Sequence, residues 1–190
     1  PQVNLMSPVD NFNTSNRTLL LSWNAIDKTT SALACQVYIN EVNWTGNIST
    51  QNNTETNTTI SDIPYGENEW KVVCFNQYEL SNFSIERQFV VLSPPENFSI
   101  ELLDNGSIFL NWSNLTLADS YELYFTTNYS SGFLESPDVS PIYSLNYTDD
   151  DADASDMKFY QIASIRGDAK ALSSLHLGKY DAPLYTGFNL

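Results

Sequence analysis

The sequence predicts an all-β chain of two tandem β-sandwiches followed by a C-terminal strand-like tail. Three observations predict it. Apolar residues alternate with polar ones in short runs, as in Leu19, Leu21 and Trp23 and then Cys35, Val37 and Ile39. Side chains two apart share one strand face, so each run offers an apolar face to a core. The pattern then recurs. Ile108, Leu110 and Trp112 repeat the first run, Tyr121, Leu123 and Phe125 the second, and Tyr160 and Ile162 repeat Trp70 and Val72. Trp23 and Trp112, Cys35 and Tyr121, and Trp70 and Tyr160 are 89, 86 and 90 residues apart, a common period that unrelated strands would not keep. Finally, no helical 3.6-residue pattern runs far, while strand-favouring Tyr, Phe, Val, Ile and Thr are abundant.

In chain order, residues 1–8 read as an edge strand with proline at both ends. Residues 10–16 read as a polar loop. Strands are expected at 18–23 and 34–39, short ones at 43–45 and 57–60, and longer ones at 69–76 and 84–92. Ile63-Pro64-Tyr65-Gly66 is a turn, because proline fixes φ and glycine allows a positive φ. Ser93-Pro94-Pro95 marks the joint, since two prolines stiffen it and cannot sit in a central strand. The second copy is expected to use 98–103, 108–112, 121–125, a weaker region at 142–147, 157–165 and 171–177. The domains are therefore 1–93, 94–178 and the apolar tail 179–190.

The chain has 190 residues, 42% of them hydrophobic, and a mean hydropathy of −0.29. Each half is near the size where one core only just suffices, so extra staples are expected. No apolar run is long enough to cross a membrane as a helix, and no direct membrane insertion is expected. The chain opens at Pro1 without Met or a signal peptide, as a processed segment would. The net charge is −15 with only 8 basic residues. Such an acidic protein repels phosphate backbones, which argues against nucleic-acid binding.

Cys35 and Cys74 stand at matching positions of two inward-facing strands, and in the second copy Tyr121 and Ser164 take those places. A disulfide particular to the first copy is expected, which implies an oxidising compartment. Closing that loop should stabilise by about 4 kcal/mol on the chain-entropy account.

Asn-x-Ser/Thr is the most specific signal. It occurs 13 times, at Asn13, Asn16, Asn43, Asn47, Asn52, Asn57, Asn82, Asn97, Asn105, Asn111, Asn114, Asn128 and Asn146. With 21 Asn and 37 Ser or Thr in the chain, composition alone would give about 4. The sequon marks N-glycosylation acceptors on the surface of a secreted protein. Asn111 follows the inward-facing Leu110, so it should point outward.

Asp149, Asp151 and Asp153 have a D-x-D-x-D spacing that can gather oxygen ligands around Ca²⁺. The spacing is not that of an EF-hand loop, because Ala154 and Tyr160 stand where Gly and Glu are needed, and a solvated acidic loop is the simpler expectation. No cofactor is expected beyond N-linked glycans and this weak Ca²⁺ candidate. In the tail, Leu184, Tyr185, Phe188 and Leu190 are apolar or aromatic and form a candidate donor strand for a neighbouring subunit, with residues 2–6 at the other terminus as the alternative donor. His176 is the single histidine, no phosphate-cradling glycine loop occurs, and catalysis is not expected.

Trp23, Tyr38, Trp70 and Val72, repeated by Trp112, Tyr124, Tyr160 and Ile162, resemble the pattern of fibronectin type III modules. The resemblance covers nearly the whole chain except the tail and implies two Ig-like (fibronectin type III-like) sandwiches. An immunoglobulin domain would place Trp between its two Cys, whereas Trp23 precedes both here. The segments PYGENEWKVVCF and LGKYDAPLYTGFNL are similar to Ig-like repeats of archaeal and bacterial surface proteins. Cytokine-receptor ectodomains also join tandem modules, but they carry more disulfides and a Trp-Ser-x-Trp-Ser motif that this chain lacks. The first expected function is a structural subunit of an N-glycosylated extracellular filament or surface coat, a homopolymer of identical subunits joined by strand exchange. The alternatives are an adhesion or receptor ectodomain binding a protein or glycan through its loops, and a passive spacer. An exposed aromatic cluster on loops would favour adhesion.

Overall fold

The structure, a computed structural model, describes residues 1–180. It divides into two compact units, Pro1–Leu92 and Ser93–Leu190.

Unit 1 is a two-sheet sandwich. One sheet has the order β1-β3-β7, with β1 at Gln2–Ser7, β3 at Leu19–Ile26 and β7 at Glu55–Ile60. The other runs β2-β10-β8-β4-β5, with β2 at Phe12–Thr14, β4 at Ala32–Ile39, β5 at Val42–Asn43, β8 at Gly66–Phe75 and β10 at Arg87–Val91. Two short strands extend it: β6 (Ile48–Gln51) on β4 and β9 (Ser81–Phe83) on β8. The alternating residues of β3, β4 and β8 meet between the sheets, where Leu21, Trp23, Cys35, Val37, Trp70, Val72 and Cys74 are almost wholly buried. The Trp23 indole N–H donates to Thr50 Oγ1 at 3.3 Å, so this ring is buried without an orphaned donor.

Unit 2 repeats the plan with fewer strands among the described residues. Its first sheet is β11-β12-β15, at Ser99–Leu102, Ile108–Asn111 and Asn146–Asp149. Its second is β14-β13-β16-β17, at Val139–Ile142, Ser120–Thr126, Met157–Arg166 and Ala169–Leu172, with β18 (Leu177–Tyr180) also on β16. Cys35 lies directly opposite Cys74 on β4 and β8. Tyr121 lies directly opposite Ser164 on β13 and β16. A covalent bond in unit 1 is thus replaced in unit 2 by a ring that packs edge-on against Trp112, with centroids 5.4 Å apart, and by a hydroxyl that donates to Ser93 O at 2.6 Å.

Three local differences from the sequence reading have physical causes. Residues 10–16 are not only loop: Phe12 packs on the core of unit 1, and β2 pairs in parallel with β10. The weak region at 142–147 is two strands in different sheets, β14 and β15, separated by a crossing segment. The last strand of each unit is broken by a serine. Ser84 N–H donates to Val72 O at 2.9 Å, and Val72 N–H donates to Ser84 Oγ at 3.1 Å. Ser173 and Ile162 repeat this at 2.7 Å and 3.3 Å. The hydroxyl stands in for a missing ladder carbonyl, so the chain can bulge and resume pairing. The expected strand at 171–177 is thus split: Leu177–Tyr180 returns to β16 as β18, and Lys179 and Tyr180 are strand residues of unit 2 rather than the start of a separate tail.

Candidate functional site

None of the thirteen sequon asparagines is buried. Ten are exposed, and Asn13, Asn52 and Asn111 are half-buried. The two buried asparagines among the described residues, Asn68 and Asn76, carry no sequon and do structural work instead. Asn68 Nδ2 donates to Pro64 O and Gly66 O, both at 3.0 Å. Asn76 Oδ1 accepts from the amides of Tyr78 and Leu80 at 3.0 and 3.1 Å. In four sequons the Asn oxygen accepts the amide of its own Ser or Thr: Thr18 at 2.9 Å, Thr45 at 3.1 Å, and Ser107 and Ser130 at 3.2 Å. These Asx turns fix the asparagines on tight surface bends, and Asn43 Nδ2 also donates to Gln36 Oε1 at 3.1 Å.

Asn52 is the exception. Its Oδ1 accepts from Asp27 N at 2.8 Å, and both hydrogens of its Nδ2 are engaged, to Asp27 O at 2.7 Å and Thr30 O at 2.9 Å. N-glycosylation replaces one of those hydrogens, so the folded chain should carry no glycan there. Asn52→Ala removes three bonds from a half-buried loop and is expected to lower unit 1 stability by about 2–3 kcal/mol, measured as a shift of the urea midpoint. Asn114→Ala, at an exposed position with no side-chain bond of this kind, should shift it little.

The disulfide is formed, with Cys35 and Cys74 fully buried and their Cα atoms 4.1 Å apart. It joins neighbouring strands of one sheet, unlike the inter-sheet bridge of immunoglobulin domains.

The acidic run does not present a set of free ligands. Asp149 points inward from β15 and is buried, with Lys158 Nζ at 2.5 Å and the Tyr160 hydroxyl donating to it at 2.6 Å. Burial would push its carboxyl up, but Lys158, Tyr160 and the Asp151 amide outweigh that and hold it below the usual carboxylate range. Asp151 is exposed, and the Asp153 side chain lies outside the described residues. The sequence signal for this pair was Lys158 itself: it stands in phase with Tyr160 and Ile162 on an inward face, and a buried ammonium requires a carboxylate. A second acidic group, Glu41, Glu69 and Glu86, brings its carboxylates within 4.8 Å of one another. Lys71 sits among them, 2.5 Å from Glu41 and 2.8 Å from Glu86, so a cation is already supplied by the chain.

Unit 2 carries an open cleft of about 420 Å³ over β13, β16 and β17, lined by Tyr124, Phe133, Leu134, Lys170, Leu172 and His176. The loop after β13 folds its rings together there. Tyr129 lies 4.9 Å from Phe159 and Phe133 lies 4.9 Å from His176, centroid to centroid. Tyr129 OH is 3.1 Å from His176 Nδ1. Lys170 Nζ is spent on Glu122 at 2.7 Å and on the Tyr124 hydroxyl. The sequence reading did not find this cluster, because its rings come from three separated segments. Leu184, Tyr185, Phe188 and Leu190, the candidate donor strand, lie outside the described residues.

No family model matches the chain, and no curated protein matches it. Solved structures do. A two-domain fibronectin type III segment from chicken tenascin is 14% identical over 93% of this chain and 97% of its own, with a TM-score of 0.40. The FN1–FN3 domains of chicken CNTN1 are 13% identical over 95% of this chain and 68% of their own, with a TM-score of 0.35. A Fn3-like protein from Clostridium thermocellum is 22% identical over 46% of this chain and 90% of its own, with a TM-score of 0.40. All are fibronectin type III-like modules. The sandwiches and the disulfide of this chain are consistent with a surface or extracellular module, and no described helix is long and apolar enough to cross a membrane.

Proposed function

We propose that this chain is a non-catalytic, N-glycosylated structural segment of an extracellular filament or cell-surface coat. The observation that carries the reading is the sorting of its asparagines: all thirteen sequons lie at least partly in solvent, while the two buried asparagines among the described residues lack the motif. A buried disulfide supports an oxidising compartment. Site-resolved glycopeptide mass spectrometry of the native chain tests it. Sugars on most of the sequons other than Asn52 are expected, and a bare native chain would overturn the proposal.

Assembly by strand exchange is the finer part of this reading. Each sandwich is closed by its own strands among the described residues, so a neighbour would add at a sheet edge rather than fill a gap. Electron microscopy of native material decides it: filaments that disperse when residues 184–190 are removed support strand linkage, and unlinked particles in both cases refute it. The aromatic cleft of unit 2 favours a second reading, adhesion to a protein or glycan.

A further inference from the structure

A sheet edge exposes unpaired backbone N–H and C=O groups and invites another chain to add a strand. In this protein five of the thirteen sequons sit on such edges. Six sequon asparagines lie within strands, and five of these, Asn13 on β2, Asn43 on β5, Asn57 on β7, Asn82 on β9 and Asn146 on β15, lie on strands at the rim of their sheet. The sixth, Asn111, closes the central strand β12 and faces Asn146 directly across the ladder. Edge strand β6 is bracketed by Asn47 and Asn52, and edge strand β11 lies between Asn97 and Asn105.

The edges without sequons are mostly blunted in other ways. Along β1, the Arg87 guanidinium donates to the carbonyls of Leu5 at 2.7 Å, Met6 at 3.1 Å and Pro8 at 2.7 Å, occupying acceptors that a further strand would need. β14 contains Pro141, which has no N–H to offer.

We propose that the glycans at Asn13, Asn43, Asn57, Asn82 and Asn146 are edge guards, which keep strands of a second copy of this chain from pairing with these sheets. The inference rests on the glycosylation reading above. A glycan is bulky and hydrated, and on an edge strand it occupies the volume that an incoming strand about 4.8 Å away must enter. With a net charge of −15 the chain already resists general aggregation. The guards act against the one contact that charge does not prevent, backbone pairing at short range.

The test compares two glycoprotein variants of the full chain. One replaces the five edge asparagines by Gln, and the other replaces Asn16, Asn114 and Asn128, which lie outside the strands and flank neither β6 nor β11. Intact mass first counts the sugars. A wild-type chain without any would overturn the glycosylation reading itself, separately from the guard role. Sedimentation velocity then reads self-association. The edge variant is expected to associate at a concentration about tenfold or more below the other, with slowed amide exchange on β2, β5, β7, β9 and β15 in the associated form. Equal association of both variants would make the glycans a general solubilising coat and overturn the proposal, as would no association of either. The unglycosylated wild-type chain, which keeps every asparagine, provides the check on folding. It should associate as the edge variant does, and a monomeric unglycosylated chain would also overturn the proposal.

Discussion

Replacing Cys35 and Cys74 together by alanine is expected to lower the stability of unit 1 by about 4 kcal/mol. The two cysteines are 39 residues apart in sequence, and the bond removes the loop-closure entropy of that segment from the unfolded chain. In the folded chain both side chains are fully buried between β4 and β8, so the ladder remains when the bond is gone. The loss should therefore appear as a lower denaturation midpoint, with exchange protection of β4 and β8 falling together. Total stability of a small domain is about 5–15 kcal/mol, so the change removes a large share of it. A midpoint shift worth less than about 1 kcal/mol would show that the core of unit 1 holds without the staple.

Asp149→Ala is expected to cost unit 2 about 3–5 kcal/mol, because it leaves the Lys158 ammonium buried without its counter-charge. Lys158 is buried against the Phe125 ring, 4.2 Å from the centroid, and has no other carboxylate partner among the described residues. Removing both charges together, as Asp149→Asn with Lys158→Met, keeps an acceptor for Tyr160 and should recover most of the loss. If the double variant is no better than Asp149→Ala, the ion pair is not the cause. The same pair sets an acid limit. Asp149 is held below its ordinary value of 3.8 when folded. Its contribution is therefore present above that value and is lost as the pH falls through the folded value. Urea midpoints of unit 2 measured downward from pH 5 should show this loss, and Asp149→Asn/Lys158→Met should show less of it.

The strands that form the two cores were legible in the sequence, because the period-2 alternation of Leu19 to Trp23, Cys35 to Ile39 and Trp70 to Cys74 is itself the record of one buried face. The short edge strands were less so. Val42–Asn43 and Ser81–Phe83 have no buried face to leave a pattern, and their strand character comes from the partner they lie beside. The acidic run was legible as charge but not as structure. Its first carboxylate belongs to the core, because β15 carries Asp149 to the inward lysine of β16.

The sequence by itself determined the all-β class, the two copies, the cysteine pairing and the surface set of asparagines, since each depends on local alternation, on a spacing or on a three-residue motif. Only the tertiary structure decided which strands are edges, where Asn52 is consumed, how Ser84 and Ser173 let the last strands resume, and that Asp149 faces Lys158. These depend on which strand lies beside which, and backbone pairing between distant segments is set by the whole packed sheet rather than by any one of them.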